Sequence, residues 1–554
     1  MIGVTADPAN REVVCEFFEL FKTPWEFCRP GGQYDVLLCE GNREAEATAK
    51  LVVHYSGVKL PLDDQRNIRT QQRSAGFLTF QGARIPVYGQ TITFPSMPAG
   101  PLAEEVSGEC AACLDESSDR LLARVGYDLF SEIRILLTSG QPPANAQFPA
   151  LDLHIAFLRN LIVGSGISLV EIPPAPDGYP FVACLTHDVD HPSLRPHKWD
   201  HTMFGFLYRA VFDSLRKFLS GRLSFRGMLR NWTAALKLPF VHLGVAKDFW
   251  REFDDQYLEL EKGLASTFFV IPYSGRPGKT VEGSAPSLRA SGYGARDIED
   301  AIRKLNAAGC EVGLHGIDAW IDEVSGRREI EEIQVLTRES EIGVRMHWLY
   351  FDERSPSTLD RAGAVYDSTV GYNGAVGYRA GTTQAYKPLG ATSLIELPLN
   401  VMDTALFYPD RLGLSKEGAK ALLRPIVDNA VRFGGVLTIN WHDRSLAPER
   451  LWGDFYRDLV DELKSRGAWF ATAGQAASWF RKRRSARFEG DTAWEPAGRP
   501  TLASDDDAAH VPGLRLRLHR RRVSALTEVR EPEDYAVGNA AKSSEPYLPS
   551  NLNK

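Results

Sequence analysis

No apolar run in the sequence approaches the roughly 18 residues that a membrane-crossing helix needs, which excludes an ordinary transmembrane anchor. The opening stretch, MIGVTADPANREVV, lacks the basic start and apolar core of a secretory signal, and the working compartment is read as the cytoplasm. Cysteine is scarce and odd in number: Cys15, Cys28, Cys39, Cys110, Cys113, Cys184 and Cys310 are all there are in 554 residues. A disulfide framework is therefore not expected. Cys110 and Cys113 form a lone C-x-x-C without a second pair or neighbouring histidines, and they read as structural. An excess of positive charge is missing too. The formal net charge is -7, so nothing global points to nucleic acid. Composition is otherwise that of a soluble globular protein, and the length suggests two or three domains.

What is present is organised around FVACLTHDVDH, residues 181–191. Phe181 to Leu185 is short, apolar and rich in strand formers, so it reads as a buried strand. It runs into Thr186, His187, Asp188, Val189, Asp190 and His191, and Pro192 stops it. Carboxylates at the end of a buried strand are costly unless paired, hydrogen-bonded or bound to metal. Side chains alternate along a strand, so Asp188 and Asp190 share one face and His187 points to the other.

Ahead of this stretch, Ile2–Thr5, Tyr34–Cys39 and Lys50–Tyr55 read as strands and Pro8–Phe21 as a helix. Ile85–Phe94 continues the sheet, while Arg124–Ser139 and Leu151–Val163 have helical spacing. This is a small α/β domain over residues 1–172, and no site emerges in it. His54 and His154 read as structural histidines. Pro173, Pro174, Pro176 and Gly178 mark its boundary.

The second domain, 178–480, opens with an insertion at about 192–245 that is helical in pattern. Its charge is mostly Arg209, Arg216, Lys217, Arg222, Arg226, Arg230 and Lys237. It reads first as a lid with a solvated basic face, and second as a peripheral contact with an anionic membrane. From Phe249 strand and helix alternate, which argues a mostly parallel sheet with helices outside. His315 follows EVGL and His442 follows VLTIN and Trp441, so three strand ends deliver polar groups to one mouth. Past residue 480 the pattern stops. Residues 481–554, with basic Arg481-Lys-Arg-Arg, acidic 504–509 and basic 515–522, read as a disordered tail.

A catalytic zinc takes three ligands from His, Asp and Glu and leaves one position open. The mouth offers Asp188, Asp190, His315 and His347. Arg345 and His347 share a face of an extended segment, so Arg345 can hold a spare carboxylate ionised as general base. His442 can protonate a leaving group. Acid, base and metal are thus separable, as a hydrolase requires.

THDVD (186–190), STFFV (266–270), EVGLH (311–315), RMH (345–347), ELPL (396–399) and NWH (440–442), in that order, resemble the motif series of polysaccharide deacetylases, the NodB-homology domain of carbohydrate esterase family four. The resemblance covers a little over half the chain, and the first domain is more weakly similar to one that often precedes such domains. It implies a distorted (β/α) barrel catalytic domain preceded by a small α/β domain, and one divalent metal, Zn2+ first among candidates. By position Asp188 resembles the family's catalytic base, Asp190 its metal carboxylate, His315 its first metal histidine, Arg345 the arginine that orients the base and His442 the acid. Two positions depart from the pattern. Val189 separates aspartates that are usually adjacent, and Ala319 stands where a second histidine is usual. His347 is the expected replacement, with Asp318, His187 and His191 behind it. Asp367 and Asp403 are candidates to brace Arg345 and His442. Trp320, Trp348, Tyr372 and Trp441 are either core or a sugar-stacking floor.

The resemblance implies a metal-dependent hydrolase that removes an acetyl group from an N- or O-acetylated sugar or glycan, a surface-polysaccharide precursor being the expected substrate. The alternatives are hydrolysis of another non-peptide C–N bond on the same fold and a degenerate carbohydrate-binding module.

Overall fold

Two nine-stranded sheets carry the chain. The computed structural model describes residues 1–43, 46–115, 120–221, 223–488 and 511–520, with the backbone of the short strands Leu502–Ala503 and Glu533–Ala536. Arg222, the acidic stretch 504–509 and most of the tail lie outside the described residues. No helix among the described residues is long and apolar enough to cross a membrane.

The first sheet is mixed. Ile2–Thr5, Gln33–Glu40, Thr48–Tyr55 and Leu121–Val125 pair in parallel, and beyond them Cys110–Asp115, Leu102–Glu104, Gly76–Phe80 and Ala83–Val87 pair antiparallel. Helices Arg11–Phe21, Leu129–Leu137 and Ala150–Gly164 bury their apolar faces in the same core. Two expectations change here. Arg124–Ser139 is not one helix: Leu121–Val125 is a strand, and the helix starts at Leu129, capped by Asp128 Oδ1 accepting from Ser131 N at 3.0 Å. Nor is Ile85–Phe94 one strand. Thr91–Thr93 leaves the sheet and pairs with Gln71–Arg73. His54 and His154 are structural, their Nδ1 atoms bonding Gly41 O and the Tyr127 hydroxyl. Cys110 and Cys113 are buried free thiols.

The second sheet is parallel throughout. Its hydrogen-bonded order begins at Ile395–Glu396 and runs through Tyr366–Asp367, Val344–Met346, Glu311–Gly316, Ser266–Val270, Val182–Val189 and Val436–Asn440 to Leu399–Met402. The two terminal strands of that order are consecutive in the chain, separated by Leu397 and Pro398. Pro398 cannot donate to a ladder, so the segment breaks there and changes partner. Leu397 N still bonds Asp367 O on one side, and Leu399 N bonds Val370 O. One bent segment thus joins both edges, and the sheet curls into a distorted (β/α) barrel. Its strands are buried on both faces and read as continuous apolar runs.

Residues 192–245 leave the barrel mouth as helices His201–Leu207, Ser214–Leu219 and Phe225–His242, the first two joined by a π-helical turn. They share a small core, including Met203, Phe206, Leu238 and Trp250, with Ala447 of the barrel.

The expected break at 480 does not hold. Helix Ala473–Ser485 runs through the basic residues. Arg483 is buried and donates to Glu19 O, Leu20 O and Ile172 O, neutralising the carbonyl end of helix Arg11–Phe21. Arg484 makes a two-pronged pair with Glu16 at 2.7 and 2.8 Å. Farther on, Arg515–His519 is a strand antiparallel to Leu169–Glu171. Its alternation buries Leu516 and turns Arg517 and His519 to Glu171.

Candidate metal centre

His315 sits within the Glu311–Gly316 strand, in register with Arg345 on the Val344–Met346 strand. Asp190 and His347 lie just past the ends of their own strands. The Asp190 carboxylate is 3.3 Å through Oδ1 from both His315 Nε2 and His347 Nδ1, and those two nitrogens are 3.0 Å apart. With zinc about 2.1 Å from each donor, donors stand about 3.0 Å apart at a right angle and about 3.4 Å apart at the tetrahedral angle. The three atoms already have that spacing. Asp190 Oδ1 is buried and, among the described residues, accepts no well-formed hydrogen bond. A carboxylate oxygen left so between two imidazoles fits a cation that binds all three.

The tautomers agree with this. His315 Nδ1 faces the Arg345 carbonyl at 3.0 Å and must donate to it, which leaves the Nε2 lone pair for the centre. Burial lowers the pKa of His347, and neighbouring Asp190 opposes that only in part, so the imidazole stays neutral. Burial would raise the Asp190 carboxyl, but His347, His315 and His442 outweigh it and hold the group well below the carboxylate range.

Asp188 lies alongside, bracketed rather than shared. Oδ1 accepts from Arg345 Nη1 at 3.0 Å, and Oδ2 accepts from Asn440 Nδ2 at 2.6 Å. Burial pushes its carboxyl up, while His315, Arg345 and His442 draw it below the usual range. Arg345 is fully buried and also donates to Thr186 Oγ1 and to the carbonyl and hydroxyl of Ser368, so its orientation is fixed. His442 Nε2 faces Asp190 Oδ2 at 3.8 Å, and its Nδ1 bonds Asp403 Oδ1 at 2.6 Å. Burial disfavours charge on His442, but Asp403, Asp190 and Asp188 prevail and raise it to about 10. It is a cation at neutral pH and a proton donor.

Other candidates go elsewhere. His187 turns away, bonding Trp441 O through Nδ1 and facing Glu261 Oε1 through Nε2 at 2.9 Å. His191 and Asp318 are outside the Asp190–His315–His347 cluster, and Asp318 Oδ1 accepts from Lys279 N. Ala319 is fully buried in the apolar cluster of the barrel and has no ligating atom to offer. Asp403 braces His442. Asp367 does not bond Arg345; it bonds Thr369 and pairs with Glu396, and Ser368 takes the bracing role. Trp441 stacks on Phe455 and Tyr456 in the core, Trp320 is buried, and the Tyr372 hydroxyl donates to Gln141 O. Of the four aromatics only Trp348 is part-exposed.

Two positioning residues escape sequence reasoning in different degrees. Asn440 carries the same signal as His442, a polar side chain at the end of an apolar strand. Arg289 carries none. It is buried at the end of the short 3-10 helix Ser287–Arg289 and donates to Pro277 O, Ile317 O and His347 O, tying the turns after two site strands together. That clamp holds a strained turn, for Trp348 and Leu349 are both left-handed, at φ 62° and 54°.

Fold and site together define an α/β barrel with a buried three-ligand cluster that could hold a metal, flanked by an arginine-held carboxylate and a charged histidine. No protein-family model matches the chain, and no curated protein matches it. Solved structures it resembles include one described as a polysaccharide deacetylase from Mycobacterium smegmatis, 21% identical over 56% of this chain and 95% of that one, at a TM-score of 0.34. Another, described as a polysaccharide deacetylase from Pseudomonas aeruginosa PAO1, is 15% identical over 56% and 94%, at 0.36. An allantoinase is 16% identical over 55% and 92%, at 0.35. Likeness this distant carries no weight for function, which is argued from the residues alone.

Proposed function

We propose that the chain is a metal-dependent hydrolase that removes an acetyl group from an N- or O-acetylated sugar, with Asp190, His315 and His347 as the metal ligands. The observation that carries this is the meeting, at one barrel mouth, of a three-donor cluster with a carboxylate and an imidazolium already in opposite protonation states. A bound divalent metal, zinc first among candidates for this donor set, would polarise the acetyl carbonyl and acidify water. The chain's own residues do the rest. Asp188, ionised and aimed by Arg345 and Asn440, takes the proton from the attacking water. His442, charged and aimed by Asp403, gives its proton to the sugar nitrogen or oxygen as the bond to the acetyl carbon breaks. Acetate and the free amine or hydroxyl leave. The substrate proposed is an acetylated precursor of a surface polysaccharide.

The test is metal content of the purified chain beside His315→Ala and His347→Ala, with acetate release from a panel of N- and O-acetylated sugars. About one divalent metal in the parent, lost in both variants together with acetate release, is the expected result. A parent that holds none after incubation with zinc overturns the reading in favour of a binding module.

A further inference from the structure

Among the described residues, twelve of the twenty-one exposed large apolar side chains fall between Trp199 and Val245. They are ordered. In the first helical stretch Phe204, Tyr208, Phe212, Leu215 and Leu219 recur at spacings of three and four, and all are exposed. In helix Phe225–His242 and just beyond it, Phe225, Leu229, Leu236, Phe240 and Leu243 recur at spacings of four, seven, four and three, again one helical face, and all are exposed. These are not the core faces, which are Met203, Phe206 and Ala210 in one and Met228, Ala234 and Leu238 in the other. Each stretch therefore has two apolar stripes, one buried on the barrel side and one facing outward. A scatter of single exposed residues needs no explanation, but a second stripe at helical spacing does.

Charge says what covers it. Residues 192–245 hold nine Lys and Arg against two Asp, in a chain whose formal net charge is -7. Arg226, Arg230 and Lys237 follow directly on Phe225, Leu229 and Leu236, which puts them along one edge of the outward stripe, and all three are exposed. Arg216 stands in the same relation to Leu215 and is 74% exposed in its side chain. A strip of bulky apolar groups edged by cations is the pattern of a helix lying in an interface, its apolar face among acyl chains and its cations among anionic headgroups. A second copy of this chain offers the same positive edge and would be repelled. The root of the insertion lies two residues past Asp190, so whatever holds the helices also holds the mouth.

We propose that the helices of residues 199–245 bind the surface of an anionic bilayer. The inference stands on the exposed stripes and does not depend on the reaction assigned to the mouth. The test is co-sedimentation of the full chain with vesicles of phosphatidylcholine alone or with phosphatidylglycerol, beside two variants. One is Phe212→Ser/Leu219→Ser/Leu236→Ser, at side chains 67%, 75% and 76% exposed and so outside the core. The other is Arg216→Glu/Arg226→Glu/Arg230→Glu. The expected result is binding to the anionic vesicles only, weakened by salt, and reduced roughly tenfold or more in each variant, with circular dichroism unchanged. No binding to anionic vesicles overturns the proposal. So does equal binding to neutral ones, or a self-associated parent that the serine variant renders monomeric without any vesicle binding.

Discussion

His442 owes its charge to Asp403. With Asp403 Oδ1 2.6 Å from Nδ1, the protonated ring is favoured despite burial. Asp403→Asn keeps the shape and removes the charge, so the His442 pKa falls and the acid loses its proton at lower pH. The alkaline limb of acetate release against pH should move toward neutrality while zinc stays bound. A structural role for Asp403 would lower the rate at every pH without moving the limb. Arg345→Lys removes the planar fork that reaches Asp188, Thr186 and Ser368 at once. A loss on the order of a hundredfold in kcat, with metal content unchanged, is expected from misaiming the base. At this scale most of the site is legible in the sequence, because polar residues that close apolar strands are conspicuous. Orientation is legible in part: strand alternation already turns His187 away from Asp188, but its partner, the Trp441 carbonyl, is not readable from the sequence.

The elements behind the site are two kinds of turn, those that strands end in and those that something must hold. Short apolar runs announce the barrel strands well, since Val436–Asn440 and Ser266–Val270 are buried from end to end. The break at Pro398 is announced by the proline itself, whereas the left-handed pair Trp348–Leu349 is set by distant partners, and no local pattern reveals it. His347 reaches the cluster only because its turn is held by Arg289 on its own carbonyl at 2.8 Å and by Asn373 on Trp348 O at 2.9 Å. Two non-glycine residues at positive φ cost about 1–2 kcal/mol each, so the turn should relax when its clamp is removed. Arg289→Met is therefore expected to weaken zinc about 10- to 100-fold in competition with a chelator. Circular dichroism should stay that of the parent. Unchanged zinc affinity would show that the turn holds itself.

At the scale of the whole molecule, the chain closes on itself through residues that composition reads as tail. RLRLHRRR looks like a charge run because its count of Arg is high, yet its alternation is that of a strand, and its partner lies more than 300 residues away at Leu169–Glu171. There Glu171, 1% exposed, faces Arg159 at 2.8 Å, His519 at 3.1 Å and Arg517 at 3.9 Å. Burial alone would raise its carboxyl; Arg159, His519 and Arg517 together press it far below the ordinary range. A carboxyl depressed in the folded state adds stability that is complete above its unfolded value of about 4.3 and disappears as pH falls through the folded value. Deleting residues 511–554 takes away two of its three partners, Arg517 and His519, and uncovers the apolar surface that Leu514 and Leu516 bury. The shortened chain should unfold about 2–4 kcal/mol more easily at pH 7, from apolar exposure and from a buried carboxylate left with one partner. As pH is lowered toward 3 the difference should narrow, because Glu171 then contributes less to the parent, but it should not vanish, because the apolar part does not titrate. Denaturant unfolding of both chains at several pH values measures this. A gap that stays constant with pH would mean that the strand holds by its leucines alone and that Glu171 keeps its charge through Arg159.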